Sequence, residues 1–228
     1  NPSVFDSPYS AGVSMFDYLR WYESYQQQIM GSNVSGGREI FRDCFVKITP
    51  EFDYIHISNQ EEGTSTPQAV LDAEGGHLKS GITLSAMMNK TDNIFAPTKG
   101  YEVESSLEYA GIDVDIAKYK FKTTQYHTLF EVPKWGKHVL SYGGTLGIVE
   151  PTAGDSVPIF ERFFAGGYGS IRGFQYRGVS PLDPSNPNDP LDPNDDHIGG
   201  EQIGGNVLVV LSTEYLIPIY KDIIRAAI

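Results

Sequence analysis

Side chains able to perform covalent chemistry are few and scattered in this 228-residue chain. Cys44 is the single cysteine, so neither an internal disulfide nor a cysteine-based metal site can form. His127, His138 and His197 show no ligand spacing and read as structural or exposed. Ser141 and Ser212 lack a His-Asp arrangement and the Gly-x-Ser-x-Gly elbow that presents a nucleophile. Gly166-Gly167-Tyr168-Gly169 imitates a nucleotide loop only superficially, because no helix follows it, and no zinc motif is present. Asp183, Asp189, Asp192, Asp195 and Asp196 supply the oxygens that a calcium ion takes, but their spacing matches no EF-hand. A solvated acidic loop suits the Pro-, Asp- and Asn-rich run of residues 181–200 better. No catalytic group, metal or cofactor is expected, so the chain does not read as an enzyme.

What remains is a charge in an unusual setting. Residues 160–179 hold five glycines, three arginines and six aromatics. That is too much glycine for a helix interior, and the apolar positions do not alternate as in a strand. Gly166, Gly167 and Gly169 allow positive φ values, so a compact folded loop is expected. It carries Arg172 between Ile171 and Gly173-Phe174, where a guanidinium is either solvated or paired with a carboxylate inside the protein. Glu161-Arg162 either ties the base of this loop to the rest of the fold or forms a surface ion pair.

The elements that position the loop read as strands. Val46, Ile48, Phe52 and Tyr54 alternate with Lys47, Thr49, Glu51 and Asp53, although Pro50 favours an edge or a bulge. Gly81 to Asn89 alternates again. Tyr101, Val103, Leu107 and Tyr109 share one face, with Glu102, Glu104 and Glu108 on the other. Ala117, Tyr119 and Phe121 alternate with Lys118, Lys120 and Lys122, so a hairpin through Gly111 sets carboxylates against ammoniums on one polar face. His138 to Val149 and Val207 to Ile217 follow, the second with Ser212 and Glu214 on its polar side. Ala11 to Trp21, with Gln26 to Val34 as partner, is poorly patterned. A last strand begins near Ile223. About nine strands result, joined by turns and by a polar loop at 58–76, with no convincing helix and no visible domain boundary.

No apolar run is long enough for a membrane helix, which leaves transmembrane strands open. The formal charge of −12 argues against nucleic acid, whose phosphates need a basic surface. The chain begins at Asn1 without an initiator Met or signal peptide, and so reads as part of a longer precursor. Alternation alone suits a transmembrane barrel with a charged lumen or a soluble β-sandwich.

Phe160-Glu161-Arg162-Phe163-Phe164-Ala165-Gly166-Gly167, followed by Ser170-Ile171-Arg172-Gly173-Phe174, resembles the signature of the BamA superfamily of outer-membrane assembly factors, with their TamA, Sam and Toc relatives. The likeness extends to the turn from Asp92 through Pro97-Thr98-Lys99-Gly100, and to Leu211-Ser212-Thr213-Glu214-Tyr215. It implies an all-β, transmembrane antiparallel barrel of about sixteen strands. Residues 1–228 would form a partial C-terminal barrel domain running from about the fifth strand to the thirteenth, with POTRA domains outside this chain. The long loop of about 151–204 would fold into the lumen, its base at Glu161, Arg162, Gly166 and Gly167. Arg172 would form a buried pair with Glu214, and a second acidic partner would lie just beyond Ile228.

The resemblance further implies a place in the cell outer membrane, with lipid, unfolded barrel substrates and periplasmic lipoproteins or chaperones as partners. The function implied is non-covalent insertion of other barrels by strand-edge pairing and bilayer thinning. A two-partner secretion pore or TamA-like translocation factor of the same superfamily is the alternative. From other classes, a porin should lack the Arg172 loop, and a sandwich should stay soluble without detergent.

Overall fold

The computed structural model describes residues 8–22, 24–59, 66–183, 201–220 and 224–227. They form a single antiparallel sheet whose nine strands lie side by side in chain order. These are β1 (Tyr9–Trp21), β2 (Tyr25–Phe41), β3 (Cys44–Asn59), β4 (Gly75–Asn89), β5 (Gly100–Ile112), β6 (Ile116–Val132), β7 (Gly136–Pro151), β8 (Val207–Tyr220) and β9 (Ile224–Ala227). The all-β class and the strand count agree with the sequence reading. Most strands run further than the alternation suggested. β2 continues to Phe41 through Gly31, Gly36 and Gly37, and β4 begins at Gly75 rather than Gly81. Glycine and serine hide a side-chain pattern, but their backbone groups still require ladder partners.

Register and turns show why the sheet is so regular. β2 and β3 meet at residues 42–43, with Asp43 at φ 68, and β6 and β7 meet at 133–135, with Lys134 at φ 75. Positive φ matches a tight hairpin to the twist of its strands. Pro50 lies in an interior strand, not at an edge. The β2–β3 pairing lapses between Asn33↔Glu51 and Gly36↔Ile48, where its missing N–H would have donated. Among the described residues helix is confined to a single turn, α1 (Gln68–Leu71), and a 3₁₀ turn at Ile159–Glu161.

The two faces of the sheet differ in kind. Val13, Met15, Val34, Ile48, Phe52, Ile82, Leu84, Leu107, Val209 and Leu211 stand exposed on the convex face. On the concave face Glu108 lies opposite Lys118, and Glu104 opposite Lys122. One cavity of about 660 Å³ is bounded by Ser10 of β1, Lys47 of β3, Glu104 of β5 and Thr145 of β7. A sheet that brings the first and seventh strands to one cavity is strongly curled; it is an open, partial barrel.

The concave face is not polar throughout, as simple alternation had implied. At the end where β7 leaves the sheet, Ile55, Ile57, Ile116 and Val149 point inward and are buried. They lie in two apolar clusters covered by the β7–β8 loop, which contributes Val157 and Ile159 and packs Phe160, Phe163 and Phe164 against them. The segment expected as a polar loop at 58–76 also adds to this packing, because α1 buries Val70.

Candidate functional site

The β7–β8 loop folds back onto the concave face, and its base is the most buried part of the site. Five aromatic and aliphatic side chains between Val157 and Phe164 anchor it in the two apolar clusters. Glu161 enters between them. Its carboxylate accepts from Lys79 Nζ of β4 at 2.9 Å and from Lys118 Nζ of β6 at 2.6 Å, and all three side chains are at least nine-tenths buried. Lys79 also pairs with Glu108 of β5 and, at 3.4 Å, with Glu51 of β3. Burial alone would raise the Glu161 carboxyl, but the Lys118 and Lys79 ammoniums outweigh it and hold the group below the usual glutamate range. Glu161 thus joins the base of the loop to β4 and β6. Arg162 does not pair with Glu161: Nε donates to the Val157 carbonyl at 2.8 Å and Nη1 to that of Ile203 at 3.3 Å. These bonds join the outgoing and returning arms of the loop.

Above the base the loop closes on itself. Ala165 and Val179 form a backbone bridge, and the Gly167 N–H donates to the Phe174 carbonyl at 3.1 Å. Gly166, Gly167 and Gly173 have φ of 104, 91 and 90°, whereas Gly169 keeps an ordinary φ. The requirement is strictest at Gly166, where a Cβ would stand 2.4 Å from the Gln175 carbonyl oxygen. Ser170 Oγ accepts from the Gly166 N–H at 2.8 Å and so helps fix the turn.

This geometry carries Arg172 to β8, where Nη2 donates to Glu214 Oε1 at 2.5 Å. The guanidinium also lies 5.5 Å from the Tyr168 ring centre. The pair is not buried, as the sequence reading had it. In this open sheet the two side chains are 54% and 32% exposed, because Ile171, Gly173 and Phe174 do not cover them. Phe174 is itself more than half exposed. Beyond Glu214, Pro97 of the β4–β5 turn and Arg225 of β9 line a cavity of about 510 Å³. Arg225 Nη1 and Nη2 donate to the carbonyls of Pro97 at 2.7 Å and Ala96 at 3.2 Å, so that turn is strapped across the same end of the concave face.

Sequence reasoning named Glu161 but missed its partners Lys79 and Lys118. The signal available was a lysine among the small residues of β4, level with the Glu-Lys hairpin. Arg177, packed against Tyr22 and Phe164, was also missed. Of the acidic run, Asp183 accepts from the Gln68 N–H of α1 at 3.2 Å; Asp189, Asp192, Asp195, Asp196 and His197 lie outside the described residues. Among the described residues no three His, Cys, Asp or Glu side chains are placed to hold a metal ion.

A family model described as the Omp85 superfamily domain matches residues 1–228, the whole of the sequence. The chain belongs to the Omp85 superfamily. Two curated relatives carry the name outer membrane protein assembly factor BamA. That of Nitratidesulfovibrio vulgaris is 26% identical over 95% of this chain, and that of Neorickettsia risticii 25% identical over 94%. A SAM50-like protein of Drosophila melanogaster is 29% identical over 52% of the chain. The chain spans about a quarter of the length of these curated relatives, at 25%, 27% and 26% respectively. Among solved structures, BamA from Haemophilus ducreyi lacking POTRA domains 1–3 superposes with a TM-score of 0.74 at 20% identity, over 92% of this chain and 42% of that one. This Omp85 segment therefore has a BamA-type barrel fold, and its convex apolar face is the lipid-facing surface of that fold.

Proposed function

We propose that this Omp85 chain is part of the barrel of an outer-membrane assembly factor, which folds and inserts other barrel proteins. The observation that carries the reading is the β7–β8 loop, folded onto the concave face with Arg172 on Glu214, in a chain whose relatives are named assembly factors. The protein resides in the outer membrane, with its short turns at 42–43 and 133–135 toward the periplasm and the long loop at the outer end. Its action is non-covalent. A seam elsewhere in the barrel opens, an incoming strand pairs with the free edge, and the bilayer thins beside it. Backbone hydrogen bonds supply the driving force, and no bond is made or broken in the substrate. Unfolded barrel proteins are the substrates. Periplasmic lipoproteins or chaperones deliver them through POTRA domains outside this chain.

Reconstitution tests this directly. The full-length protein in liposomes should accelerate folding of an unfolded barrel substrate, followed by its heat-modifiable gel shift. Arg172→Ala and Glu214→Arg should each slow that folding several-fold, and the charge swap Arg172→Glu with Glu214→Arg should restore part of the rate. Absence of acceleration, with export of a dedicated polypeptide across the same liposomes, would instead make the chain a secretion pore.

A further inference from the structure

Arg177 follows Arg172 by five residues in the same loop but engages the opposite side of the sheet. Its guanidinium carbon lies 3.4 Å from the ring centre of Phe164, 4.1 Å from that of Tyr22 and 5.9 Å from that of Tyr25. Tyr22 lies in the β1–β2 turn and Tyr25 opens β2, their rings tilted against one another with centres 4.6 Å apart. A planar guanidinium presents its face to such rings, where the π quadrupole attracts it, and lysine does this less well. The same turn is tied a second time: Ser24 Oγ donates at 2.7 Å to Glu201 Oε1, on the returning arm of the loop. Arg177 also stands at φ 61, a left-handed conformation that an unconstrained arginine avoids and a glycine accepts freely. A turn position alone would suit glycine, so it is the ring contacts of the side chain that give an arginine a role here.

We propose that Arg177 is a second positioning cation of the loop, clamped by Tyr22, Tyr25 and Phe164. With Arg172 held on β8 and Arg177 on the β1–β2 turn, the loop is a brace across the concave face, spanning β3 to β7 between its two ends. Resting on the assembly reading, the brace keeps this part of the barrel a rigid wall, so that seam movement is confined to strands outside it.

The test uses the full-length protein in liposomes, with Cys44→Ser and spin labels at Gly169→Cys in the loop tip and Ser32→Cys on β2. A second labelled pair, Gly169→Cys with Thr213→Cys on β8, reads the Arg172 end. Heat-modifiability confirms folding before each measurement. The clamp predicts a narrow distance distribution between positions 169 and 32. Arg177→Gln, Arg177→Gly and Tyr22→Leu should each broaden it at least two-fold, and Arg177→Lys should fall between. The 169–213 distribution should stay narrow throughout. A distribution that stays narrow in Arg177→Gly or in Tyr22→Leu would overturn the clamp, the first outcome showing a backbone-turn role alone. These distances do not depend on substrate folding, so failure of the clamp and failure of the assembly reading leave different signatures.

Discussion

Burial ranks the two charges that hold the loop. Arg172–Glu214 carries the family signature, but exposed ion pairs contribute about 0–1 kcal/mol, and its arginine is more than half exposed. Glu161 is shielded between two lysines and two apolar clusters. Removing one partner of a buried pair costs about 3–5 kcal/mol, since the remaining charges lose their counter-ion. In urea titrations of the full-length protein, Glu161→Gln should therefore lower stability by several-fold more than Arg172→Ala. The pH dependence follows from the same group. A carboxyl whose folded pKa lies below the usual value of about 4.3 stabilises fully above that pH, and the contribution is lost as pH falls through the folded value. Loop protection against pepsin should hold at pH 5 and fail progressively below pH 4 (the direction set by the lowered Glu161 pKa), whereas Glu161→Gln should lack this step. Asp92 works in the same sense. Thr98 and Lys99 donate to its carboxylate in the β4–β5 turn, which brings it down to about 2 against the penalty of burial, so the contacts of that turn should persist until the pH approaches that value.

At the scale of elements, the loop fits because particular strands leave room for it. Phe163 lies over Gly147 of β7, where a Cβ would come within 2.7 Å of the ring. Gly147→Leu should push Phe163 out of its cluster and destabilise the docked loop by about 1–3 kcal/mol, the usual cost of overpacking, with faster loop proteolysis as the measurement. The strand faces were readable in the sequence wherever charge marked them, as with Glu102 to Glu108 and Lys118 to Lys122. They were not readable in β1, where Phe16 and Tyr18 face inward and Asp17 outward, and aromatic residues suit either side. The Arg172–Glu214 pair spans 42 positions and was legible only through the family resemblance, which joins its two motifs. Glu161 with Lys79 and Lys118 was not, because no motif joins them and the contact exists only once four strands are in register and the loop has turned back.

For the molecule as a whole, the meander explains the unequal faces. Each strand buries nothing against a second sheet, yet Val13, Leu84, Leu107 and Leu211 stand exposed across the convex side. Water penalises that surface by about 25 cal/mol per Å² of apolar area; hydrocarbon does not. The edges of β1 and β9 carry unpaired backbone groups that hydrocarbon would not tolerate, so in the membrane both edges must be paired with further strands. An arginine at Leu107 should accordingly lower barrel stability by about 2–4 kcal/mol if that position lies near the bilayer midplane, while an arginine at Ser106 enters the wet interior and should cost far less. The measurement that tests the account most directly compares those two neighbouring positions of β5. In liposomes containing the full-length Cys44→Ser protein, an environment-sensitive fluorophore is attached at Leu107→Cys or at Ser106→Cys. The account predicts that the probe at 107 is blue-shifted and quenched by nitroxide lipids, while that at 106 is quenched by aqueous iodide. Aqueous quenching at 107 together with lipid quenching at 106 would contradict it.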